Sequence, residues 1–349
     1  HQCGLGKRSL SRVNMVNFNI FEYEQMIGDL IHDTFYVGLT RRGKIKGIRQ
    51  FSEVIVRKIL NIGSDTYFTL GKAKHMEQFK KLSNNRKVYL KASIEKIRPL
   101  GNDGTHTQHT EEFSDDELNQ VKDGLFDLYA YLFIDYFLKY PMNLLSPAQV
   151  MGDFSLLPPI IRYKTLQYLY DNEANLQIAN RYCLSIIKTY DKPTAFRWLE
   201  EERERLYQIH YPTQEEAEEY YINRGVQISS TQIKVDIQLW RYSNVYDLLK
   251  DKVIDPRTSV NESGKMYSNF EQAKKCYENN NVLTSSNIEE AKEFYNAVKY
   301  KFSNNIEKVK NFYRLNNLYF PENDERTFDE FKDFGELMEF VFMGRRQYS

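Results

Sequence analysis

The chain has 349 residues, 41% hydrophobic and 28% charged, with 48 basic and 48 acidic side chains and no formal net charge. That length suffices for two or three domains with sizeable cores. The charge balance excludes a polyelectrolyte that binds through overall charge, and 16 Gly and 9 Pro exclude collagen-like or low-complexity architecture.

The 26 Tyr and 22 Phe are unusual. Such side chains bury large areas and mark packed helices or interfaces, although a bias toward Lys, Asn, Ile and Tyr codons would also enrich Tyr. The three cysteines, Cys3, Cys183 and Cys276, are far apart. They form neither a disulfide framework nor a zinc spacing, which fits a reducing cytoplasm. No apolar run reaches the ~18 residues of a membrane helix, so no membrane partner is expected.

In chain order, "HQCGLGKRSLSRVN" precedes Met15. It has basic residues and no apolar core, and reads as vector-derived or upstream-translated sequence rather than a secretory signal. Residues 18–39 place Phe21, Met26, Ile27, Leu30, Ile31 and Phe35 three and four apart, which predicts a helix. "RRGKIKG" (41–47) reads as a basic turn. A second helix is predicted over 48–63, with Gly63 as its stop. A third, more basic helix is predicted over 69–85, and a fourth from 86 to about Arg98. Pro99 disfavours helical geometry at Arg98, and Gly101 and Gly104 permit a turn. The clearest helix covers 114–140, with Ser114 and Glu117 as a capping box and Asp115 and Asp116 at the positive end of the dipole. These five segments predict a helical bundle over residues 15–141.

Residues 142–349 read as a larger helical region. In "IKVDIQLW" (233–240) the period changes: Ile233, Val235, Ile237 and Leu239 alternate with polar residues. This predicts a half-buried strand, with "VQIS" (226–229) as its hairpin partner. Helices then resume. "AKKCY" (273–277) and "AKEFY" (291–295) read as two helices with similar faces rather than a standard repeat. The fold class expected is mainly α, with a small β-hairpin near 226–240.

Charge is distributed unevenly. From Arg41 to Arg98 there are 16 basic and 4 acidic residues, and from Asp103 to Asp135 nine acidic and one basic, Lys122. Two explanations stay open: two mutually neutralising faces of one bundle, or a phosphate-facing surface beside a solvated acidic helix. Arg41, Arg42, Lys44, Lys46 and Arg49 are the candidate phosphate contacts in the second case. A plain solvated turn is the alternative.

The stretch "IRPLGNDGTH" (97–106) carries the strongest chemical signal. His106 would supply a general acid or base near neutral pH. Arg98 and Asn102 would supply hydrogen bonds to phosphate oxygens. A loop ahead of a helix N-terminus would suit an anionic substrate, and Asn102 and His106, four apart, would share a face if the turn were helical. The alternative is a structural turn that Asn102 and His106 cap and buttress. His109, three residues further on, makes no metal spacing. No phosphate-binding Gly-rich loop, catalytic Ser motif or zinc protease motif is present, so neither metal nor cofactor is expected. "NES" (261–263) is a formal glycosylation sequon.

"GNDGTH" after "IRPL", with "IRQFSEVIVRKIL" before it and an acidic-start aromatic helix after it, resembles the HEPN superfamily. It is most similar to a bacterial branch found fused to restriction and helicase proteins. There a motif of the type Arg-x-x-Gly-Asn-x-x-x-His joins two long helices, matched here by Arg98, Gly101, Asn102 and His106, with Glu53 as the second-helix acid. The resemblance covers residues 20–140. It implies a catalytic set of Arg98, Asn102, His106 and Glu53, a metal-independent ribonuclease or RNA- or nucleotide-binding activity, and a homodimer with its site at the dimer interface. The chain departs from the cutting members at Gly101, where they carry Arg. The function expected is a cytoplasmic prokaryotic or phage-related defence or stress protein that contacts RNA or a nucleotide. The rival is a non-enzymatic dimeric adaptor that binds a protein partner through its aromatic-rich C-terminal region.

Overall fold

A computed structural model describes residues 17–227, 233–258, 270–280, 285–316, 318, 320, 321 and 323–345. The segment before Met15, the "STQ" turn and the "NES" sequon lie outside the described residues.

The chain is mainly helical. In order, the elements are α1 (Glu24–Ile31), α2 (Arg41–Ile59), α3 (Glu77–Lys80), α4 (Asn84–Thr105), α5 (Asp115–Lys139), α6 (Ala148–Phe154), α7 (Pro159–Glu173), α8 (Leu176–Thr189), α9 (Lys192–Glu201), α10 (Arg203–Gln208), α11 (Gln214–Arg224), the two-residue strands β1 (Val226–Gln227) and β2 (Ile233–Lys234), then α12 (Val245–Ile254), α13 (Phe270–Asn279), α14 (Ser285–Lys301), α15 (Ile306–Leu315) and α16 (Asp324–Phe342). No helix among the described residues is long and apolar enough to cross a membrane. The chain divides into two compact units, residues 1–121 and 122–349. The division falls inside α5, not in the 141–157 segment where the change of composition suggested it.

In the first unit, α2 and α4 form the centre. Ile45, Ile48, Phe51 and Ile55 of α2 and Leu90, Ile94 and Ile97 of α4 are buried, each contributing about 1.5–3 kcal/mol by leaving water. The basic stretch 41–47 is not a turn but the first two turns of α2. Thr40 caps the helix by accepting from the Gly43 N–H, and Ile45 and Gly47 are buried in it. Past α2, Asn61 adopts the left-handed region at φ 52°, and its Oδ1 accepts from the N–H of Asn17 and Phe18 at 2.9 and 3.0 Å. The helix expected over 69–85 is broken into a 3-10 segment, Leu70–His75, and the single turn α3.

The largest correction concerns 99–104, which is helix rather than loop. α4 runs through Pro99, Gly101 and Gly104 to Thr105. Pro99 cannot donate to the Glu95 carbonyl, a loss that normally ends or kinks a helix. Here the last turn is held by the Thr105 hydroxyl donating to the Gly101 carbonyl at 2.8 Å and the His106 N–H donating to the Asn102 carbonyl at 3.0 Å. Both glycines are buried. α5 then starts at a capping box: the Ser114 N–H donates to Glu117 Oε2 at 2.7 Å, and the Glu117 N–H to Ser114 Oγ at 3.2 Å.

In the second unit the antiparallel hairpin α7–α8 turns at Asn175, whose side chain caps α8 through the Ile178 N–H at 3.0 Å. The aromatic excess goes into this unit's core. Phe133, Phe137, Phe154 and Phe334 form one edge-and-tilt cluster, with centroids 5.1–6.3 Å apart. Tyr170, Tyr182 and Trp198 form another. Arg345, 4% exposed, lies 3.6 Å from the Phe270 ring centre and donates to the Tyr129 hydroxyl at 3.2 Å.

The hairpin expected over 226–240 is not seen. Two residues pair antiparallel with two, Val226 with Lys234 and Gln227 with Ile233. Past them the chain turns into a 3-10 segment at Leu239–Arg241. Tyrosines take over the roles of a partner strand: the Ile237 N–H donates to the Tyr220 hydroxyl at 3.1 Å, and the Tyr211 hydroxyl to the Leu239 carbonyl at 2.6 Å. Ile237 and Leu239 are nevertheless buried.

Pro99→Ala restores a helical donor at one unfilled position. It is expected to raise stability by about 1–2 kcal/mol, the recovered hydrogen bond and geometry outweighing the extra freedom of the unfolded chain. Urea denaturation measures this, and an unchanged or lower midpoint would contradict it.

Candidate functional site

Close approach between α2 and α4 builds the site. A Cβ placed on Gly101 would lie 2.4 Å from Arg49 Cδ and 2.7 Å from its Cβ. The aliphatic stem of Arg49 therefore lies directly across Gly101. One turn on, a Cβ at Gly104 would meet only Ile45 Cγ2, at 3.5 Å, and the Arg42 carbonyl, at 3.8 Å. On the other side of α2, Gly47 faces Thr34, whose Oγ1 would stand 2.0 Å from an added Cβ.

Laid across Gly101, the Arg49 guanidinium reaches two of the candidate residues. Its Nε donates to Asn102 Oδ1 at 3.1 Å, and its Nη2 lies 3.4 Å from Glu53 Oε1, one turn along α2. Both charged side chains are only about one-fifth exposed, 19% and 21%. Glu53 Oε1 is buried and accepts no hydrogen bond. Burial pushes the Glu53 carboxyl above its ordinary value, opposed by the Arg49 charge and a backbone hydrogen bond from Leu70. The Leu70–His75 segment thus closes one side of the cluster.

The other two candidates lie elsewhere. Arg98 folds back on its own helix, donating from Nε and Nη2 to Glu95 at 3.1 and 2.9 Å. With Lys74, Lys91, Gly71 and Phe79 it lines a small cavity of about 130 Å³ between α4 and the Leu70–His75 segment. The three cations hold the Glu95 carboxyl below its ordinary value, Arg98 first among them. His106 is the residue that ends α4. It is exposed, and among the described residues its imidazole makes no hydrogen bond or ion pair. The expected arrangement of an anion-binding helix N-terminus is not formed, because the motif occupies the C-terminal turn of α4, where the dipole is negative.

The basic group at the start of α2 separates in the same way. Arg41 pairs with Asp115 through Nε at 2.7 Å and Nη2 at 3.2 Å. Arg42 donates to the carbonyls of Asp103, His109 and Glu111 and lies 5.2 Å from the Phe113 ring centre. These two arginines hold the 103–115 connection in place. Lys44 and Lys46 make no ion pair or hydrogen bond among the described residues. His109 stacks on Phe113 at 4.5 Å, and its Nε2 is buried without a partner. Among the described residues no group of His, Cys, Asp and Glu could hold a metal ion.

Arg49, Glu53 and Asn102 are thus brought together, and Arg98 and His106 are not tied to them. The sequence placed Arg49 on a basic surface. Its position four residues before Glu53, opposite a glycine, was the available signal for the cluster. Chemically, the cluster offers a guanidinium held by one neutral and one acidic partner, a geometry suited to contacting an anion with its remaining N–H groups.

No family model, no curated protein and no solved structure matches this chain.

Gly101→Ala forces the Arg49 stem aside and is expected to cost about 1–3 kcal/mol. In an Arg49→Ala background the same change should cost much less, because the clash partner is gone. Equal costs in the two backgrounds, measured by denaturation, would refute the contact.

Glu53 gives a pH test. A carboxyl raised in the folded state binds its proton more tightly there than in the unfolded chain. Its ionisation therefore costs stability above the folded value, and that cost disappears as the pH falls toward the ordinary value of ~4.3. Stability of the wild type relative to Glu53→Gln should rise as the pH drops from 7 toward 5. A difference that does not change with pH would count against it.

Proposed function

We propose that the first unit is a HEPN-like domain that contacts RNA or a nucleotide through phosphate. The observation that supports this is Arg49 lying across Gly101 and bonded to Asn102. Cutting members of the superfamily carry an arginine next to this polar residue in sequence. Here Gly101 leaves the space and α2 supplies the arginine. Lys44 and Lys46, on the same helix, would add sequence-independent attraction. Binding is the activity the geometry favours. Cleavage would additionally require the exposed His106 imidazole to reach the phosphate that Arg49 holds. Under this proposal the protein acts in nucleic-acid-linked defence or stress as a homodimer, both carried over from the resemblance.

The adaptor reading has an observation of its own. Arg41 and Arg42 are engaged within the unit, and the second unit exposes large apolar side chains, among them Tyr300 at 86%, Leu315 at 77% and Trp240 at 61%. Scattered apolar residues are ordinary on protein surfaces, so the adaptor ranks second.

Binding of fluorescent single-stranded RNA in EDTA, at several salt concentrations, tests the proposal. Arg49→Ala is expected to weaken binding about tenfold or more, as for loss of a charge-assisted contact, and to lower the salt slope by about one phosphate. If the RNA is cut, His106→Ala should slow cleavage by about 10²–10⁴ while leaving the melting temperature in place. Absence of RNA binding by the wild type, or equal binding by a folded Arg49→Ala variant, would decide for the adaptor.

A further inference from the structure

The second unit contains a cavity of about 530 Å³, within the range of small-molecule sites. Its walls come from the end of α5 and the following loop, the α7–α8 turn, the start of α11 and the start of α16. Four side chains on these walls lack the partners their chemistry calls for.

Gln177 is 8% exposed. Its Oε1 is buried without a hydrogen-bond partner, and its amide makes no other hydrogen bond among the described residues. A buried amide left unpaired costs about 1–3 kcal/mol. Glu330 has a side chain 13% exposed, and its Oε1 meets only Arg326 Nε, at 3.4 Å, from a side chain that is 58% exposed. Burial pushes the Glu330 carboxyl above its ordinary value, Arg326 opposing. Glu219 and Asn323, both exposed, carry no side-chain hydrogen bond or ion pair among the described residues.

The charges decide the class of ligand. The lining has three carboxylates, Glu216, Glu219 and Glu330, and one permanent cation, Arg326. His210 is already shared with Glu216 at 2.8 Å. The helix starts that face the cavity do not reverse this sign. Asn175 caps α8, and Glu216 closes the capping box of α11 with Thr213. The cavity therefore offers surplus acceptors and surplus negative charge. These acids are too dispersed to make a metal site, so one small ion would not satisfy them. A chain carrying several separated N–H donors would.

We propose that this cavity binds an aliphatic polyamine, with Gln177 accepting from an amine near its inner wall and Glu330 and Glu219 pairing with ammonium groups. Gln177 ties the site to a ligand independently of the acids. A buried, unpaired amide on a cavity wall is a standing cost that a donor entering the cavity removes.

Calorimetric titration of the full chain with spermidine, with citrate as an anion of comparable size, tests this. Spermidine should bind and weaken with added salt, and citrate should not bind. Glu330→Gln should weaken spermidine about 10- to 100-fold, the range of a charge-assisted hydrogen bond. Gln177→Leu should weaken it about tenfold while leaving the ligand-free melting temperature unchanged or higher, because it removes the uncompensated amide. No spermidine binding, citrate binding in its place, or unchanged affinity in both variants would each overturn the proposal.

Discussion

The close approach of α2 and α4 is the constraint on which the first unit depends. Two helices whose backbones come this near need small residues where they meet, and α4 supplies Gly101 and Gly104 there. The Arg49 stem fills the space above the first. That contact orders a long, charged side chain whose free rotamers would otherwise cost about 2 kcal/mol to fix. The arginine head is then held by Asn102 and Glu53. Glycines that read as helix breakers thus serve as packing positions, and the α4 helix survives Pro99 because its last turn is pinned against α2.

In the second unit aromatic packing plays the corresponding part. The edge-and-tilt clusters around Phe133 and Phe154, and around Tyr170 and Trp198, add about 0.5–1.5 kcal/mol per pair beyond their buried area. Tyrosine hydroxyls also do work usually left to strands and caps. Tyr220 and Tyr211 satisfy the backbone of the 237–239 segment, which frees the chain from extended pairing. A polar end on an apolar body makes this possible. It also explains how so many tyrosines can be accommodated without orphaned hydroxyls at each of them.

Buried charge is treated differently in the two candidate sites. Around Arg49 the guanidinium and the Glu53 carboxyl share a desolvated space, so each limits the cost of the other. Around Gln177 and Glu330 the balance is left open on the acceptor side. A pocket with unmet acceptors and a pocket with an internally balanced ion pair suit opposite partners, a cation in one case and an anion beyond the paired acid in the other.

Much of this was legible in the sequence. Periodic apolar residues fixed the helices of the first unit, and Ser114 with Glu117 marked the start of α5, because capping and amphipathicity are local. The grouping of Glu53 with Asn102 was suggested by the motif rather than by spacing. The sequence alone determined a mainly helical chain, its capped ends and its blocks of opposite charge, all of which act within one or two turns. Only the tertiary structure decided that 99–104 is helical, that 233–240 is not a long strand, and that Arg49, not Arg98, stands beside Asn102. Each of these depends on a neighbour distant in sequence: α2 against Gly101, the α11 tyrosines against Ile237, and Glu95 drawing Arg98 away. Tertiary contacts worth a few kcal/mol override propensities of about 1 kcal/mol or less per residue, and no local pattern records which contact will be made.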